Sequence, residues 1–197
     1  MKRLAIAFLV ASCGGDDSTP AQGDAAVDGA TAVDASVDAP SQGTFTLTSP
    51  MLAPSAAIAM ANTCDGANTS PELTWTGNAM GALSYAVVFT DTNNDLVHWV
   101  IYDIPATATG LPANVQKAYA PNNVAGAHQT QSYQAVRGYL GPCPPAQDGA
   151  HIYEFAVYGL DVATLPGTTM ATTRAQAVPL ILQHQTAKAT LTGMYDR

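Results

Sequence analysis

The sequence of 197 residues predicts a mainly β fold: a central β-sandwich with one or two peripheral helices, preceded by a disordered tail. Three long runs rich in Val, Ile, Tyr, Trp and Phe, at residues 83–91, 96–104 and 151–160, are typical of buried strands. Helical spacing of apolar residues occurs only late, within 168–188. Many strands with few helices favour two sheets packed around one core.

The first 12 residues have the layout of a secretory signal peptide. Lys2 and Arg3 form a basic start, and residues 4–10 are an apolar run too short for a stable transmembrane helix. The tetrad Val-Ala-Ser-Cys at residues 10–13 resembles a bacterial lipobox, in which the cysteine is acylated. We therefore predict a lipid anchor on Cys13, the alternative being an ordinary signal peptide with an incidental cysteine. By analogy with known bacterial lipoproteins, the absence of an Asp directly after Cys13 favours the outer membrane.

Residues 13–43 form the predicted linker. Within 14–43 there are six Asp, no basic residue, no aromatic residue and no Leu or Ile. Such a segment buries too little apolar surface to offset its conformational entropy, so we expect a lipidated, disordered acidic tether. Calcium binding is the alternative, but the close D-x-D-x-D-G spacing of a calcium loop is missing.

Residues 44–197 form the predicted folded domain. Short strands are expected at 44–49 and 73–75, a hairpin at 83–91 and 96–104 around the turn residues 92–95, and further strands at 151–160 and 189–195. Residues 105–150 are interpreted as long functional loops with one strand near 115–119. Residues 168–188 are expected to be helical, although Pro179 interrupts the pattern.

Composition and missing motifs exclude several classes of protein. With 15 acidic and 7 basic residues and a formal charge of -8, the chain lacks the basic surface that coats nucleic acid phosphates. Nucleotide loops, the esterase nucleophile elbow and zinc-protease motifs do not occur, and the four histidines are scattered singly. The sequence therefore predicts a protein that is not an enzyme and needs no metal or cofactor.

An ordered set of short motifs resembles the phosphatidylethanolamine-binding protein (PEBP) family, in particular its bacterial Raf-kinase-inhibitor-like branch, over residues 44–197. The motifs are Phe45-Thr-Leu-Thr-Ser-Pro50, Thr63-Cys-Asp-Gly66, Asn68-Thr-Ser-Pro71, Leu73-Thr-Trp75, Phe89-Thr-Asp91, His98-Trp-Val-Ile101, Ile104-Pro105, Gly141-Pro-Cys-Pro-Pro145, His151-Ile-Tyr153 and Leu191-Thr-Gly-Met-Tyr195. The resemblance implies a β-sandwich with a small pocket for phosphate or a similar anion at one sheet end.

Carried over residue by residue, the pocket would use four side chains and one loop. The side chains are Asp91, His98, His151 and Tyr153, and the wall is formed by Gly141, Pro142, Pro144 and Pro145. The family usually has Asp-Pro-Asp-x-Pro at residues 91–95 and His-Arg-Tyr at 151–153, whereas this chain has Asp-Thr-Asn-Asn-Asp and His-Ile-Tyr.

Strand periodicity adds its own expectation about these side chains. Period-2 alternation predicts that His98, Val100 and Tyr102 share one face, and that His151, Tyr153 and Phe155 share another. Two imidazoles at strand ends can donate hydrogen bonds to an anion, more strongly when protonated, and Asp91 could fix a tautomer or raise a histidine pKa.

Each of these residues also has an ordinary interpretation. A single histidine is commonly a buried side chain bonded to backbone, and an Asp before a turn commonly caps backbone N–H groups. His128 and His184 are predicted to be surface residues. Tyr139 is either a pocket rim or core packing.

Cys64 and Cys143 each lie in a family-like loop motif, and an exported chain meets an oxidising environment. With Cys13 taken by lipid, we predict a Cys64–Cys143 disulfide; the alternatives are two separate buried thiols or, less favoured, a nucleophilic Cys143.

Three functions follow from these observations. The first is a membrane-tethered binding protein for a small anion such as phosphate or a phosphorylated head group. The second is an inhibitor or regulator of an extracytoplasmic protease or other protein, contacted through loops 105–150. The third, least favoured, is a hydrolase that uses Asp91 and a histidine as acid and base.

Overall fold

The computed structural model describes residues 43–197, which form a mainly β fold of two sheets and one α-helix. The strands are β1 Thr46–Thr48, β2 Ala56–Ala57, β3 Leu73–Thr76, β4 Ser84–Asp91, β5 Leu96–Pro105, β6 Gly110–Leu111, β7 His128–Gln129, β8 His151–Leu160 and β9 Gln185–Tyr195, and the helix α1 is Arg174–His184. A 3-10 turn lies at Met60–Asn62. The predictions for the signal peptide, the lipidated Cys13 and the tether fall on residues outside the described part of the chain.

The three-stranded sheet has the order β1-β3-β6, and the six-stranded sheet has the order β2-β9-β8-β4-β5-β7. All strand pairs are antiparallel except β2 with β9. The core between the two sheets includes Leu47, Trp75, Phe89 and Phe155, and a second apolar layer joins the other face of the large sheet to Ile181 of α1. The predicted sandwich with a peripheral helix is therefore confirmed.

The local strand predictions were most accurate where β-branched and aromatic residues are densest. The hairpin β4–β5 and the strand β8 lie within a residue of their predicted bounds. The strand expected near residues 115–119 is wrong, because that segment is irregular and its first two N–H groups bond to side chains: Val115 N–H donates to Ser70 Oγ (2.9 Å) and Gln116 N–H to Asn123 Oδ1 (3.0 Å).

The helix is shorter than the predicted segment 168–188. Thr173 and Gln176 form a capping box, in which Thr173 Oγ1 accepts from the Gln176 N–H (3.3 Å) and Gln176 Oε1 accepts from the Thr173 N–H (3.0 Å). Residues 168–172 are irregular, because the hydroxyls of Thr168, Thr169 and Thr172 bond to nearby backbone. After His184 the chain continues directly into β9, which pairs with β8 along its whole length.

The short strand β2 forms one edge of the large sheet. Ala56 pairs with Gly193 and Ala57 with Met194 in parallel register. Ser55 N–H also donates to the Thr192 carbonyl at 2.8 Å. The edge of the sheet next to the last strand is therefore built by residues from the beginning of the domain. Among residues 43–197 we find no helix that is both long and apolar enough to cross a membrane.

Candidate functional site

The four predicted pocket side chains meet at one end of the large sheet. Asp91 is the last residue of β4 and lies opposite Tyr153 in the β4–β8 register, while His151 is the first residue of β8. His98 comes from β5 on the other side of β4. Alternation along β8 buries His151, Tyr153 and Phe155 on one side, as predicted.

His98 occupies a β-bulge, which corrects the predicted alternation on β5. Phe89 pairs with Trp99 and Thr90 pairs with Val97, so His98 is an extra residue without a partner on β4. The bulge places the His98 ring on the same side of the sheet as Phe89 and Tyr153. The centroid of each of these two rings lies 5.5 Å from that of His98. Val100 and Tyr102 instead face the helix layer, so the prediction that they share a face with His98 is wrong.

Asp91 holds both the His151 ring and the adjoining turn. Its Oδ2 accepts a hydrogen bond of 2.6 Å from Nδ1 of His151, and its Oδ1 accepts one of 3.0 Å from the Asn93 N–H. Both side chains are buried, with 3% of Asp91 and 8% of His151 exposed. The bond orients the imidazole and leaves Nε2 as the nitrogen available to a ligand. Asp91 thus acts as a turn residue and also orients the histidine.

His98 is fixed by the backbone rather than by a carboxylate. Its Nδ1 lies 3.1 Å from the Leu140 carbonyl, to which the Nδ1–H donates, so Nε2 is again the free nitrogen. Burial lowers the pKa of His98, and the Leu140 carbonyl and the Asp91 charge oppose this only in part. At neutral pH the His98 ring is therefore uncharged and its Nε2 is a hydrogen-bond acceptor.

Tyr153 lies between the two histidines. Its ring centroid is 5.5 Å from that of His98 and 6.3 Å from that of His151. The hydroxyl is buried and makes no hydrogen bond of good geometry within residues 43–197, although the Asp91 carboxylate and the Cys143 backbone lie close enough to influence it. Burial, followed by the charge of Asp91, raises the pKa of this hydroxyl, so it remains a donor throughout the physiological range. A buried hydroxyl without a partner is costly and needs an explanation. Tyr102 and Thr130 share this state, but of the three only Tyr153 lies between His98 and His151.

The loop Gly141-Pro-Cys-Pro-Pro145 approaches the site from one side. The backbones of Leu140 and Gly141 lie near His98. A side chain at Gly141 is excluded, because a Cβ there would lie 2.2 Å from the Asn62 carbonyl oxygen. Pro142 and Pro144 are buried, whereas Pro145 is exposed, which places it on the outer side of the loop.

A disulfide between Cys64 and Cys143 ties this loop to the Thr63–Gly66 motif. The two Cα atoms are 5.4 Å apart, and the Cys64 N–H also donates to the Pro142 carbonyl (3.0 Å). The predicted pairing is thus present, and the bonded sulfur of Cys143 is not a nucleophile.

The turn after Asp91 lacks the prolines of the family pattern but is held by hydrogen bonds. Thr92 bonds to the Ile152 carbonyl through its N–H (2.9 Å) and its hydroxyl (3.0 Å), and Asn93 Oδ1 accepts from the Ile152 N–H (2.9 Å). The backbone of residue 152 therefore stabilises the turn, whatever its side chain.

The remaining two histidines and Tyr139 differ in role from the four pocket residues. His128 and His184 are not free surface residues: each is partly buried and bonds through Nδ1 to an aspartate, at 2.9 Å to Asp103 and 2.8 Å to Asp161. Tyr139 is core packing, fully buried with its hydroxyl donating to Asn62.

Sequence reasoning missed Tyr133, whose ring lies 5.0 Å from that of His98. It also missed Arg174, whose charge acts on both His98 and Tyr133. No local pattern marks either residue, since both reach the site through long connections. Within the described part of the chain, no cluster of three or more His, Cys, Asp or Glu residues could hold a metal ion.

A family model described as "Phosphatidylethanolamine-binding protein" matches residues 48–196. The fold and the site define a class of β-sandwich domains that carry an Asp, two His and a Tyr in a buried cluster at one sheet end. This chain belongs to the phosphatidylethanolamine-binding protein family.

Individual relatives agree with this assignment. A Mycobacterium tuberculosis (strain ATCC 25618 / H37Rv) protein named "Putative lipoprotein LppC" is 36% identical over 198 residues, covering 98% of this chain and 92% of the relative. A UPF0098 protein of Methanothermobacter thermautotrophicus is 36% identical over 138 residues, covering 68% of this chain and 87% of its own length. The crystal structure of Escherichia coli YbcL, described as a member of the mammalian PEBP family, superposes with a TM-score of 0.72 at 29% identity, covering 79% of this chain and 99% of YbcL.

Proposed function

We propose that this protein is an envelope-tethered binding protein for a small anion, either phosphate or a phosphorylated head group, held between His98, His151 and Tyr153. The observation that carries the proposal is the buried Tyr153 hydroxyl without a partner, flanked by two histidines whose Nδ1 atoms are already bonded. The hydroxyl donates to an anionic oxygen. Each Nε2 accepts from a protonated phosphate oxygen or, once protonated, donates to an anionic one.

Burial limits what can enter the site. Asp91, His98 and His151 are each less than a tenth exposed, and Tyr153 is fully buried. With so little of these side chains exposed, the proposal requires a compact group such as a phosphate, and the remainder of any larger ligand lies outside the cluster. A neutral His98 favours a ligand that brings its own proton, such as monobasic phosphate, and affinity rises as the pH falls.

Calorimetric titration with inorganic phosphate and with phosphoethanolamine tests the pocket. The variants His98→Asn and His151→Asn keep a side-chain donor near the Nδ1 position but remove Nε2. His184→Asn is the matched control, because His184 also bonds an aspartate and lies near the opposite end of the ten-residue strand β8. We expect each pocket variant to weaken phosphate binding at least about tenfold, which is 1.4 kcal/mol, while the control binds like wild type. No binding by wild type, or equal affinity in all four proteins, would refute the pocket.

The tether is a separate part of the proposal. The alignment with the protein named as a lipoprotein covers 98% of this chain and so extends into the N-terminal segment. Acylation of Cys13 would anchor the domain to a bacterial membrane, and the outer membrane is favoured because Gly14 follows the cysteine. Membrane fractionation of cells that express wild type or Cys13→Ser tests it. We expect wild type in the outer-membrane fraction and the variant outside all membrane fractions; equal distributions would contradict the anchor.

A further inference from the structure

A cavity of about 420 Å³ adjoins the proposed anion pocket. It lies between the segment 131–137 and the beginning of α1, and its lining includes Tyr133, Arg137, Thr173 and Arg174. Tyr133 is shared with the pocket, since its ring packs edge-on against the His98 ring at 5.0 Å. Tyr133 is therefore the residue at which the cavity meets the proposed pocket.

The cavity collects positive charge that forms no ion pair with a carboxylate of residues 43–197, although Asp95 and Arg174 line a neighbouring cavity together. This part of the chain has five basic residues, of which Lys188 and Arg197 form ion pairs with Glu154 and Asp65 at 3.0 Å each. Arg137 and Arg174 have no such pair among the described residues, and both line the cavity, whose lining contains no acidic side chain. The described domain has more acidic than basic residues overall, so two unpaired arginines beside one cavity are a local exception to its charge.

The two arginines differ in how firmly they are held. Arg137 donates to the carbonyls of Gln129 (3.0 Å) and Met170 (3.2 Å) and lies over the Tyr119 ring, so its guanidinium is fixed in place. Arg174 has no hydrogen bond to the described residues that would occupy its guanidinium. It is thus the cation that is free to reach a ligand.

The position of Arg174 is unfavourable for the helix alone. It is the first residue of α1, whose first turn contains no acidic residue. The positive end of the helix dipole repels a cation there, so the charge does not stabilise the helix. The helix end instead adds to the positive potential of the cavity. A charge that costs the helix stability and faces an uncompensated cavity is better explained by an anionic group of a ligand.

We propose that the cavity between Arg137 and Arg174 is a second subsite, which binds a carboxylate or second phosphate of a ligand whose first phosphate lies at His98 and His151. The inference rests on the proposed anion pocket. It assigns the preferred ligand class as phosphate monoesters with a second acidic group. It also predicts that a ligand with an ammonium at its far end, such as phosphoethanolamine, is disfavoured by repulsion from the arginines.

Calorimetry with three probes tests the subsite: inorganic phosphate, phosphoethanolamine and 3-phosphoglycerate. We expect wild type to bind 3-phosphoglycerate at least about tenfold more tightly than phosphoethanolamine, which corresponds to 1.4 kcal/mol. Arg174→Gln should abolish this preference, bringing the affinities for the two esters to within about threefold of each other. Its effect on inorganic phosphate, exerted through the charge that Arg174 places near His98, should be the same for all three probes. Thermal unfolding should show no loss of stability, because the dipole penalty is relieved. Lys117→Gln, which removes the same charge from an exposed residue outside the cavity lining, should keep the preference.

The outcomes separate the two proposals. Wild type that binds phosphate but does not discriminate between the two esters would overturn the subsite and leave the pocket standing. A preference that survives Arg174→Gln, or that is lost equally in Lys117→Gln, would also overturn it. Wild type that binds none of the three probes would overturn the pocket and the subsite together.

Discussion

Asp91 and His151 are joined between neighbouring strands by a hydrogen bond of 2.6 Å, while the second oxygen of the same carboxylate accepts the Asn93 N–H at 3.0 Å. One side chain therefore fixes the imidazole of the site and the turn after β4. The family's usual proline-containing loop is replaced by an arrangement in which Asp91 itself, with Thr92 and Asn93, supplies the rigidity.

The double role of Asp91 predicts the effect of Asp91→Asn. An amide has one acceptor oxygen, so it cannot accept from both the His151 Nδ1–H and the Asn93 N–H. If the oxygen stays with Asn93, the amide NH2 faces the buried Nδ1 of His151, which must give up its proton to accept. We expect the free energy of unfolding to fall by about 1–3 kcal/mol in urea titrations. Nitrogen NMR of the ring should show that His151 loses its Nδ1–H tautomer.

The control is Asp161→Asn, which alters the pair with His184, where the aspartate side chain is 60% exposed. The loss there should stay below about 1 kcal/mol. Equal losses in the two variants would contradict the special role of the buried pair.

His98 should make stability depend on pH. Burial lowers its pKa below the ordinary value of 6.5, so below that pH the unfolded chain binds a proton that the folded chain does not. The free energy of unfolding therefore falls as the pH decreases from 6.5 through the folded-state pKa, and the His98 contribution is constant above 6.5. The variant His98→Asn, which cannot titrate, should lack this component.

Urea denaturation of wild type and His98→Asn from about pH 7.5 to about pH 5 measures the difference directly. The two stability curves should converge or cross as the pH falls. Parallel curves would mean that folding does not alter the proton affinity of His98.

The disulfide should be a large single contribution to stability. It joins residues separated by 79 positions, and the loss of a native disulfide from a small exported domain costs about 2–5 kcal/mol. We expect Cys64→Ala/Cys143→Ala to lose stability in this range in urea titrations, and reduced wild type to match it. A reduced protein as stable as the oxidised one would contradict this prediction.

Gly141 should not tolerate a side chain. An added Cβ meets the Asn62 carbonyl oxygen at 2.2 Å, whereas one added at Gly43 meets nothing within 4 Å. We expect Gly141→Ala to lower the free energy of unfolding by about 1–3 kcal/mol, because rigid backbone must move. Gly43→Ala is the control and should unfold like wild type. A neutral Gly141→Ala would show that the loop shifts freely.

The sequence predicted well those features that local pattern determines. The turn formers of 92–95 and the dense aromatic and β-branched residues on either side specify the β4–β5 hairpin directly. Features that depend on a neighbouring strand were not predictable. The bulge at His98 exists only in the pairing of β5 with β4, and it reverses the side to which His98 points relative to simple alternation.

The same distinction, between features set by local sequence and features set by tertiary packing, applies to the site. Asp91, His98, His151 and Tyr153 stand in recognisable motifs and the structure brings them together. Arg174 was missed because it lies in an unremarkable helical segment, and only the packing of α1 against the large sheet brings it near Tyr133. Motifs identify residues that sit in defined local turns and strands, whereas residues delivered by tertiary packing carry no local signal.

The parallel pairing of β2 with β9 constrains how the domain is made. Ala56 and Ala57 need partners at residues 193 and 194, so the sheet edge cannot form until almost the entire domain has left the ribosome. Strands with such distant partners close late, and the nascent chain remains incompletely folded during synthesis. In the proposed envelope role this delay would be an advantage, because a chain that has not yet closed its sheet can still be threaded through a secretion channel.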